Sequence, residues 1–366
     1  MTPLLSGLAN VTWQSLAMLA IAGVLYYLAI ARDYEPLLLL PIASGCVLAN
    51  LPLSPMIGED GMLTILYESG IVNELFPLFI FIGIGALTDF GPLLENPRMV
   101  LLGAAGQFGI FGTLAVALLF GFTRNEAASI GIIGAIDGPT SIYVSGILAP
   151  NLLGPITVAA YSYMALVPIL MPPVMKLLTT RRERRIRMPY QQRRVSRRTR
   201  ILFPILVTII VGTLVPFATP LVGMLMLGNL MKESGVVERL TKASSNELAN
   251  VVTLFLGLAI GATMAGPQFL KTSTLFILVL GIFAFALDTA TGVVFGKLLN
   301  VASGGRFNPL IGAAGISAFP MAARVVQKVA HEEDFDNFLL MHAMGANAAG
   351  QVASVVAGGV LLALMT

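Results

Sequence analysis

Apolar runs recur along the whole chain, separated by short polar breaks, at residues 14–31, 36–53, 75–87, 99–122, 130–148, 156–178, 201–217, 221–231, 248–264, 275–294, 309–326 and 338–365. Several reach the ~20 residues a spanning helix needs, and others are short or punctured by Gly and Pro. The pattern predicts an all-α polytopic membrane protein of about ten transmembrane helices, with some segments broken or re-entrant. In GIIGAIDGPTSIYVSG, residues 131–146, one run carries Asp137, Gly138 and Pro139 side by side at its centre. A carboxylate and a helix breaker together in an apolar stretch need a chemical reason.

Composition supports the membrane reading, since only 11% of the residues are charged and 56% are hydrophobic, against roughly 25% charged in soluble domains. The opening MTPLLSGLANVTWQ has no Lys or Arg, so the first apolar run is expected to remain as a helix rather than act as a cleaved signal. The single cysteine, Cys46, excludes an intrachain disulfide and a cysteine-built metal site. His331 and His342 lack the companions of a histidine metal site.

Basic residues gather in one place: RRERRIRMPYQQRRVSRRTR, residues 181–200, holds ten of the 22 Lys and Arg residues. The positive-inside bias puts this linker in the cytoplasm, where it could also dock an anionic partner or lipid headgroups; no nucleic-acid partner is expected. It divides the chain into an N-terminal transmembrane half, 1–180, and a C-terminal half, 201–366. IGIIGAIDGPTSIYV, residues 130–144, lies over IGAAGISAFPMAARV, residues 311–325, and GIGALTDFGP, residues 83–92, lies over LAIGATMAGP, residues 258–267, at a similar displacement. Two interrupted segments recurring in one order point to an internal repeat. With an odd number of crossings in each half the two repeats are inverted, and their broken helices meet near the bilayer midplane.

An Asp or Arg in mid-helix costs roughly 2.5–3.5 kcal/mol on insertion scales, which makes Asp89, Asp137, Asp288 and Arg324 candidates for function. Beside Asp137, Gly138 and Pro139 end one helix and open another, freeing carbonyls, while Thr140 and Ser141 add hydroxyls. Carboxylate, hydroxyl and carbonyl oxygens suit a hard cation, although Asp137 could also serve only as a helix cap. In NPLIGAAGISAFPMAAR, residues 308–324, Asn308 before Pro309 reads as a cap, Gly312 and Gly315 allow close backbone approach, and Ser317 and Arg324 fall on one helical face about 10 Å apart. Arg324 either pairs with Asp137 or receives an anion beside the cation site. Tyr163 brings a phenol that needs a partner, and Asn347 offers an amide oxygen or a cap. Asp89 sits at a helix end, half exposed, and Asp288 has no evident role.

The segments TDFGPLLENPR, LLGAAGQFGIFGT, IGIIGAIDGPTSIYVSG, AAYSYMALVP, GNLMKESGVVERL, NPLIGAAGISAFPMAARV and NFLLMHAMGANAAG together resemble the beta subunit of the sodium-pumping biotin-dependent decarboxylases, which act on oxaloacetate, methylmalonyl-CoA, glutaconyl-CoA or malonate. The resemblance runs in one register from about Pro36 to the C-terminus. It implies a membrane subunit that decarboxylates carboxybiotin and exports Na+. The family's functional residues fall on Asp137, Tyr163, Asn308, Gly312, Ser317, Arg324 and Asn347. Two departures stand out: Ile136 replaces an expected Gly or Ala, and Ala346 a frequent Pro. Neither removes an oxygen ligand.

From these residues follow the expected roles: Asp137, Asn308, Gly312, Ser317 and Asn347 around Na+; Asp137, Tyr163, Ser317 and Arg324 in the chemistry; Arg324 on the carboxylate of carboxybiotin. The chain lacks a biotin-attachment Met-Lys-Met and a soluble carboxyltransferase domain. A biotin carrier, a carboxyltransferase, a small single-span subunit and further beta copies are the expected partners in the lipid bilayer. Composition and broken helices alone fit a Na+-coupled secondary transporter without chemistry equally well.

Overall fold

The computed structural model describes residues 6–189 and 195–366. Residues 190–194 of the basic linker, with Arg193 and Arg194, and the first five residues lie outside the described residues. Among the described residues the protein is helical without strands. Among those residues five helices are long and apolar enough to cross a membrane, or up to seven if two bent pairs each count as one span.

The chain opens with α1 (Trp13–Arg32), capped by Thr12, and α2 (Pro36–Asn50), which has Pro36 in its first turn. After α3 (Leu75–Leu87) comes a run split by Gly106 and Gln107 into α4 (Met99–Ala105) and α5 (Phe108–Leu119). α6 (Arg124–Gly131) tightens into a 3-10 turn at Ile132–Ala135 and stops; α7 (Gly138–Leu148) then starts at the Gly138-Pro139 pair. α8 (Leu153–Leu178) ends the first half. The second half holds α9 (Arg197–Leu214), α10 (Thr219–Ser234), α11 (Ala249–Thr263) and α12 (Thr272–Ala302), then a 3-10 segment at Pro309–Gly315, α13 (Met321–Glu333) and α14 (Leu340–Met365).

Glycines decide how these helices cross. In lipid there is little hydrophobic drive between helices, so close backbone packing has to hold them. α2 crosses α11 where Gly45 and Gly261 each sit against the other helix's backbone, and α3 crosses α10 through Gly85 and Gly228 in the same way. Two asparagines complete the crossings. Asn50 of α2 donates to Met264 O at 2.9 Å and accepts from Gly266 N at 2.9 Å, closing the end of α11. Asn229 of α10 donates to Thr88 O at 3.1 Å, closing the end of α3. Each half thus caps a broken helix of the other.

Two segments enter the bundle and turn back. The first, 124–151, has its ends tied together, because Asn151 Nδ2 donates to Glu126 Oε1 at 3.1 Å, and its turn lies at Ile136–Asp137. In the second, 308–337, Asn308 and Asn337 each donate to the carbonyls of Arg184 and Ile186, at 2.8–3.2 Å, and the turn lies near Ser317. α14 fixes their relation. It starts beside the open end of the second hairpin, bonds Ile316 through Asn347, reaches Asp137 at Ser354, and at Gly358 packs on Thr140 and Val144 of α7. The hairpins therefore come from opposite ends of the bundle and meet tip to tip.

The open end of the second hairpin is clasped by the linker. Arg184 bonds Glu333 at 2.6 Å, and the Arg187 fork takes both oxygens of Asp334 at 2.7 and 2.8 Å. These guanidinium bonds hold the Glu333 and Asp334 carboxyls below the usual carboxylate range. A depressed pKa stabilises the clasp above the unfolded carboxylate range, and that contribution disappears as pH falls through the depressed value. Pepsin cleavage of the linker is therefore expected to rise below pH ~4, whereas Glu333→Gln should cleave readily at every pH tested. A second expectation concerns the crossings. A methyl on Gly85 meets the Leu225 carbonyl, but nothing lies within 4 Å of one on Gly223. Gly85→Ala should cost about 1–3 kcal/mol, read as a lower Tm in detergent, while Gly223→Ala should keep or raise Tm.

Candidate functional site

The chain reaches Asp137 through a strained step. Ile136 has φ 54° and ψ 47°, a left-handed conformation that a β-branched side chain rarely takes. The sequence departure at this position thus falls where a glycine would be relaxed, and a strain of about 1–3 kcal/mol has to be borne by the surrounding contacts. The turn leaves Asp137 extended and able to cap α7, accepting from Thr140 N at 3.2 Å through Oδ1. Capping uses only one of its oxygens.

The other oxygen gathers groups from the second half. Ser317 Oγ donates to Asp137 Oδ2 at 3.0 Å and Ser354 Oγ at 2.9 Å, with Gln351 Nε2 at 3.4 Å. The tips also share a main-chain bond, from Ser317 N to Ala135 O at 3.2 Å. Asn347, Gln351 and Ser354 stand four and three residues apart, one face of α14. Asn347 Nδ2 bonds Ile316 O at 2.6 Å, which leaves its Oδ1 buried with no partner among the described residues. Thr140 Oγ1 and the Tyr161 hydroxyl are likewise buried and unpartnered, and the Tyr161 ring lies against Gly138.

Unpaired buried oxygens cost free energy unless something meets them. One carboxylate among hydroxyl and amide oxygens, with Asp137 3% exposed, suits a hard cation of single charge. Among the described residues no three His, Cys, Asp or Glu side chains gather as a transition-metal site would require.

The structure brings Asp137, Ser317 and Asn347 together and separates the other expected residues from them. Asn308 does cap its segment, accepting from Leu310 N at 3.0 Å. Seven residues of 3-10 helix, at about 2 Å each, set it roughly 14 Å from the tip, where its amide fastens the linker. Gly312 packs on the Gly292 backbone of α12, a close crossing rather than a contact to Asp137. Ser317 and Arg324 do not share a helical face, because Pro320 delays α13 until Met321. Arg324 is exposed, not buried at depth, and makes no ion pair with Asp137. The Tyr163 phenol finds its partner in the Leu278 carbonyl of α12.

Of the remaining acids, Asp89 is half-buried and accepts from Gly91 N at 2.8 Å. Asp288 is fully buried and accepts from Gly109 N at 2.5 Å, capping α5 from another helix. Sequence reasoning missed Gln351, Ser354 and Tyr161. The polar stripe at 347, 351 and 354 on an otherwise apolar helix was the available signal for the first two. Tyr161 lies two residues before Tyr163 in the same helix, and spacing alone does not separate the two.

Two hairpins closing tip to tip on a buried carboxyl, in an all-helical bundle with several helices long and apolar enough to cross a membrane, define the class as a polytopic membrane protein. Residues 14–365 match the family described as Na+-transporting oxaloacetate decarboxylase beta subunit, and the chain belongs to it. It is 54% identical to the methylmalonyl-CoA decarboxylase subunit beta of Veillonella parvula, over 99% of this chain and 96% of that one. It is 51% identical to the glutaconyl-CoA decarboxylase subunit beta of Acidaminococcus fermentans, over 98% and 96%. The oxaloacetate decarboxylase beta chain of Klebsiella pneumoniae is 49% identical, over 94% of each chain.

Both serines donate to the same Asp137 oxygen, so their effects should not add. Ser317→Ala and Ser354→Ala are each expected to lower unfolding free energy by about 1–3 kcal/mol. A double-mutant cycle on detergent-solubilised protein should show a coupling of roughly 0.5 kcal/mol or more.

Proposed function

We propose that this chain is the membrane subunit of a Na+-translocating decarboxylase, decarboxylating carboxybiotin and coupling that reaction to Na+ export. The observation that carries the reading is the pairing of Asp137 in one hairpin tip with Ser317 in the other, with buried oxygens of the neighbouring Thr140 and Asn347 left without a partner among the described residues. An alkali cation taken there by Asp137, Thr140, Ser317 and Asn347 is bound by both halves at once. Ser354 belongs to the same set. Gly312 and Asn308 shape the second hairpin around it.

Ten spans and two re-entrant hairpins, arranged as inverted repeats, make up the proposed topology. Five helices precede the linker as spans, α1, α2, α3, the broken α4–α5 run and α8, and five follow it, α9, α10, α11, α12 and α14. An odd number in each half inverts the second against the first. The reciprocal caps of Asn50 and Asn229, and the matching Gly45–Gly261 and Gly85–Gly228 crossings, support this reading. The positive-inside bias places the linker, and with it the open end of the second hairpin, on the cytoplasmic side. The halves at 1–180 and 201–366 are the repeats, and 181–200 joins them.

Decarboxylation breaks the bond from the ureido nitrogen to the carboxyl carbon. CO2 departs, the electron pair stays on nitrogen, and the nitrogen takes up a proton. In the proposed cycle Na+ displaces the proton of Asp137, and that proton passes toward the substrate by way of Ser317 and a tyrosine. Tyr161, beside Gly138, stands closer to this path than Tyr163, whose hydroxyl is engaged. Arg324, exposed one turn past the tip, is free to meet the carboxylate.

Carboxybiotin arrives on a carrier subunit and is loaded by a carboxyltransferase subunit, which selects the acid. A small single-span subunit and further copies of this chain complete the proposed assembly. Asp137→Asn keeps the side-chain shape and removes the exchangeable charge. The assembled complex carrying it is expected to lose Na+-stimulated release of CO2 from carboxybiotin by about a hundredfold or more. Wild-type turnover with normal sodium dependence in that variant overturns the reading.

A further inference from the structure

α13 returns from the hairpin tip to the linker with two unlike faces. Ala322, Ala323, Val325, Val326, Val329 and Ala330 are buried against the bundle. Arg324, Lys328 and Glu332, four residues apart in turn, form an exposed charged row on the other side. Eight residues of helix at 1.5 Å make that row about 12 Å long. Its inner end stands one turn beyond Pro320, next to the tip that carries Ser317. Its outer end lies beside the linker clasp, where Glu332 is paired with Lys176 at 2.7 Å.

Among the described residues neither Arg324 nor Lys328 takes part in an ion pair. The linker arginines Arg184 and Arg187, by contrast, are paired. In the proposed topology α13 reaches into the bilayer, where two unpaired cations cannot face hydrocarbon, at roughly 2.5–3.5 kcal/mol each. They need water or an anion. Their charge selects an anion, their i, i+4 spacing places them about 6 Å apart, and the row leads from the linker side toward Asp137.

We propose that this face of α13 lines an aqueous funnel open on the linker side, and that Lys328 is a further binding residue for the carboxylate of carboxybiotin, meeting it ahead of Arg324. The ammonium of Lys328 acts as a point charge that draws the carboxylated ring inward on its flexible arm. The planar guanidinium of Arg324 then receives the carboxylate in a forked geometry one turn deeper. The inference rests on the reading of carboxybiotin as substrate, but the funnel itself is testable without substrate.

The native Cys46 is buried, so Lys328→Cys gives this chain an exposed thiol for a charged, membrane-impermeant thiosulfonate, with labelling read on this subunit and compared with the unsubstituted complex. In the assembled complex in oriented vesicles, that thiol is expected to react from the linker side, and carboxybiotin should slow the reaction. Failure to react from that side overturns the funnel, because the face then packs on lipid or on another subunit. In a second arm, Lys328→Gln should raise the KM for free carboxybiotin about tenfold, a change of roughly 1.4 kcal/mol. Half-activation by Na+ should stay in place, and Lys328→Arg should restore most of the KM. An unchanged KM in Lys328→Gln overturns the role of Lys328. Absence of Na+-stimulated CO2 release in the wild type would instead reject the functional reading itself, leaving the labelling result to stand on its own.

Discussion

The structure depends on one carboxyl group shared between two halves of a chain. A hairpin tip buried inside a helical bundle has main-chain groups that no helix or solvent satisfies, and such backbone survives only where protein or an ion meets it. Here each tip meets the other's needs: Ala135 O takes the Ser317 amide, and Asp137 takes the Ser317 hydroxyl. α14 supplies the remainder through Asn347 and Ser354. For backbones to come this close, small residues must line the approach. Gly350 of α14 rests on the Gly315 carbonyl, and Gly292 of α12 on that of Gly312. The glycine content that punctures the apolar runs is thus the means by which the tips are reached.

Much of this was legible before any coordinates. The helical class followed from the apolar runs, and the break at Asp137 from a carboxylate beside Gly-Pro. Asn308 was readable as a cap because Pro309 follows it, and capping is a local event. Partner choice across the bundle was less accessible. Ser317 and Arg324 looked like one helical face because periodicity assumes an unbroken helix, and Pro320 ends that assumption three residues after the serine. For Arg324 the sequence leaves two roles open, a partner for Asp137 or a receiver of an anion; its apolar neighbours pack inward, and the side chain is exposed. Choosing between Tyr161 and Tyr163 needs the rotation of α8, which one sends its ring to Gly138 and the other to Leu278. No spacing rule contains that angle.

Asp288 shows a similar limit. In sequence it is an unexplained acid in the longest apolar helix; in the fold it caps the broken run at Gly109, a residue 179 positions away in the chain. The acid and the break answer each other, just as Asn50 answers the end of α11 and Asn229 the end of α3. Caps supplied from another helix are invisible to motifs that look three residues along. They are what a membrane fold uses when its helices stop at depth, where water cannot serve.

The way the second hairpin is fastened bears on how it could move. At its open end Asn308 and Asn337 hold the linker carbonyls, and Arg184 and Arg187 add charged bonds. At its tip, among the described residues, only Ser317 hydrogen-bonds directly across to the first hairpin. Parting the two tips therefore breaks two hydrogen bonds between the hairpins, whereas releasing the open end breaks its charged bonds as well. A ligand shifts such an equilibrium only by binding one arrangement better than the other. In the proposed reading, a cation coordinated by Asp137, Thr140 and Asn347 draws on oxygens from both halves and so favours the closed tips. Replacing the cation by a proton on Asp137 keeps the local hydrogen bonds but withdraws the attraction on the opposing oxygens. Chemistry that delivers or removes one proton at this carboxyl then acts on the contact that holds the two hairpins together.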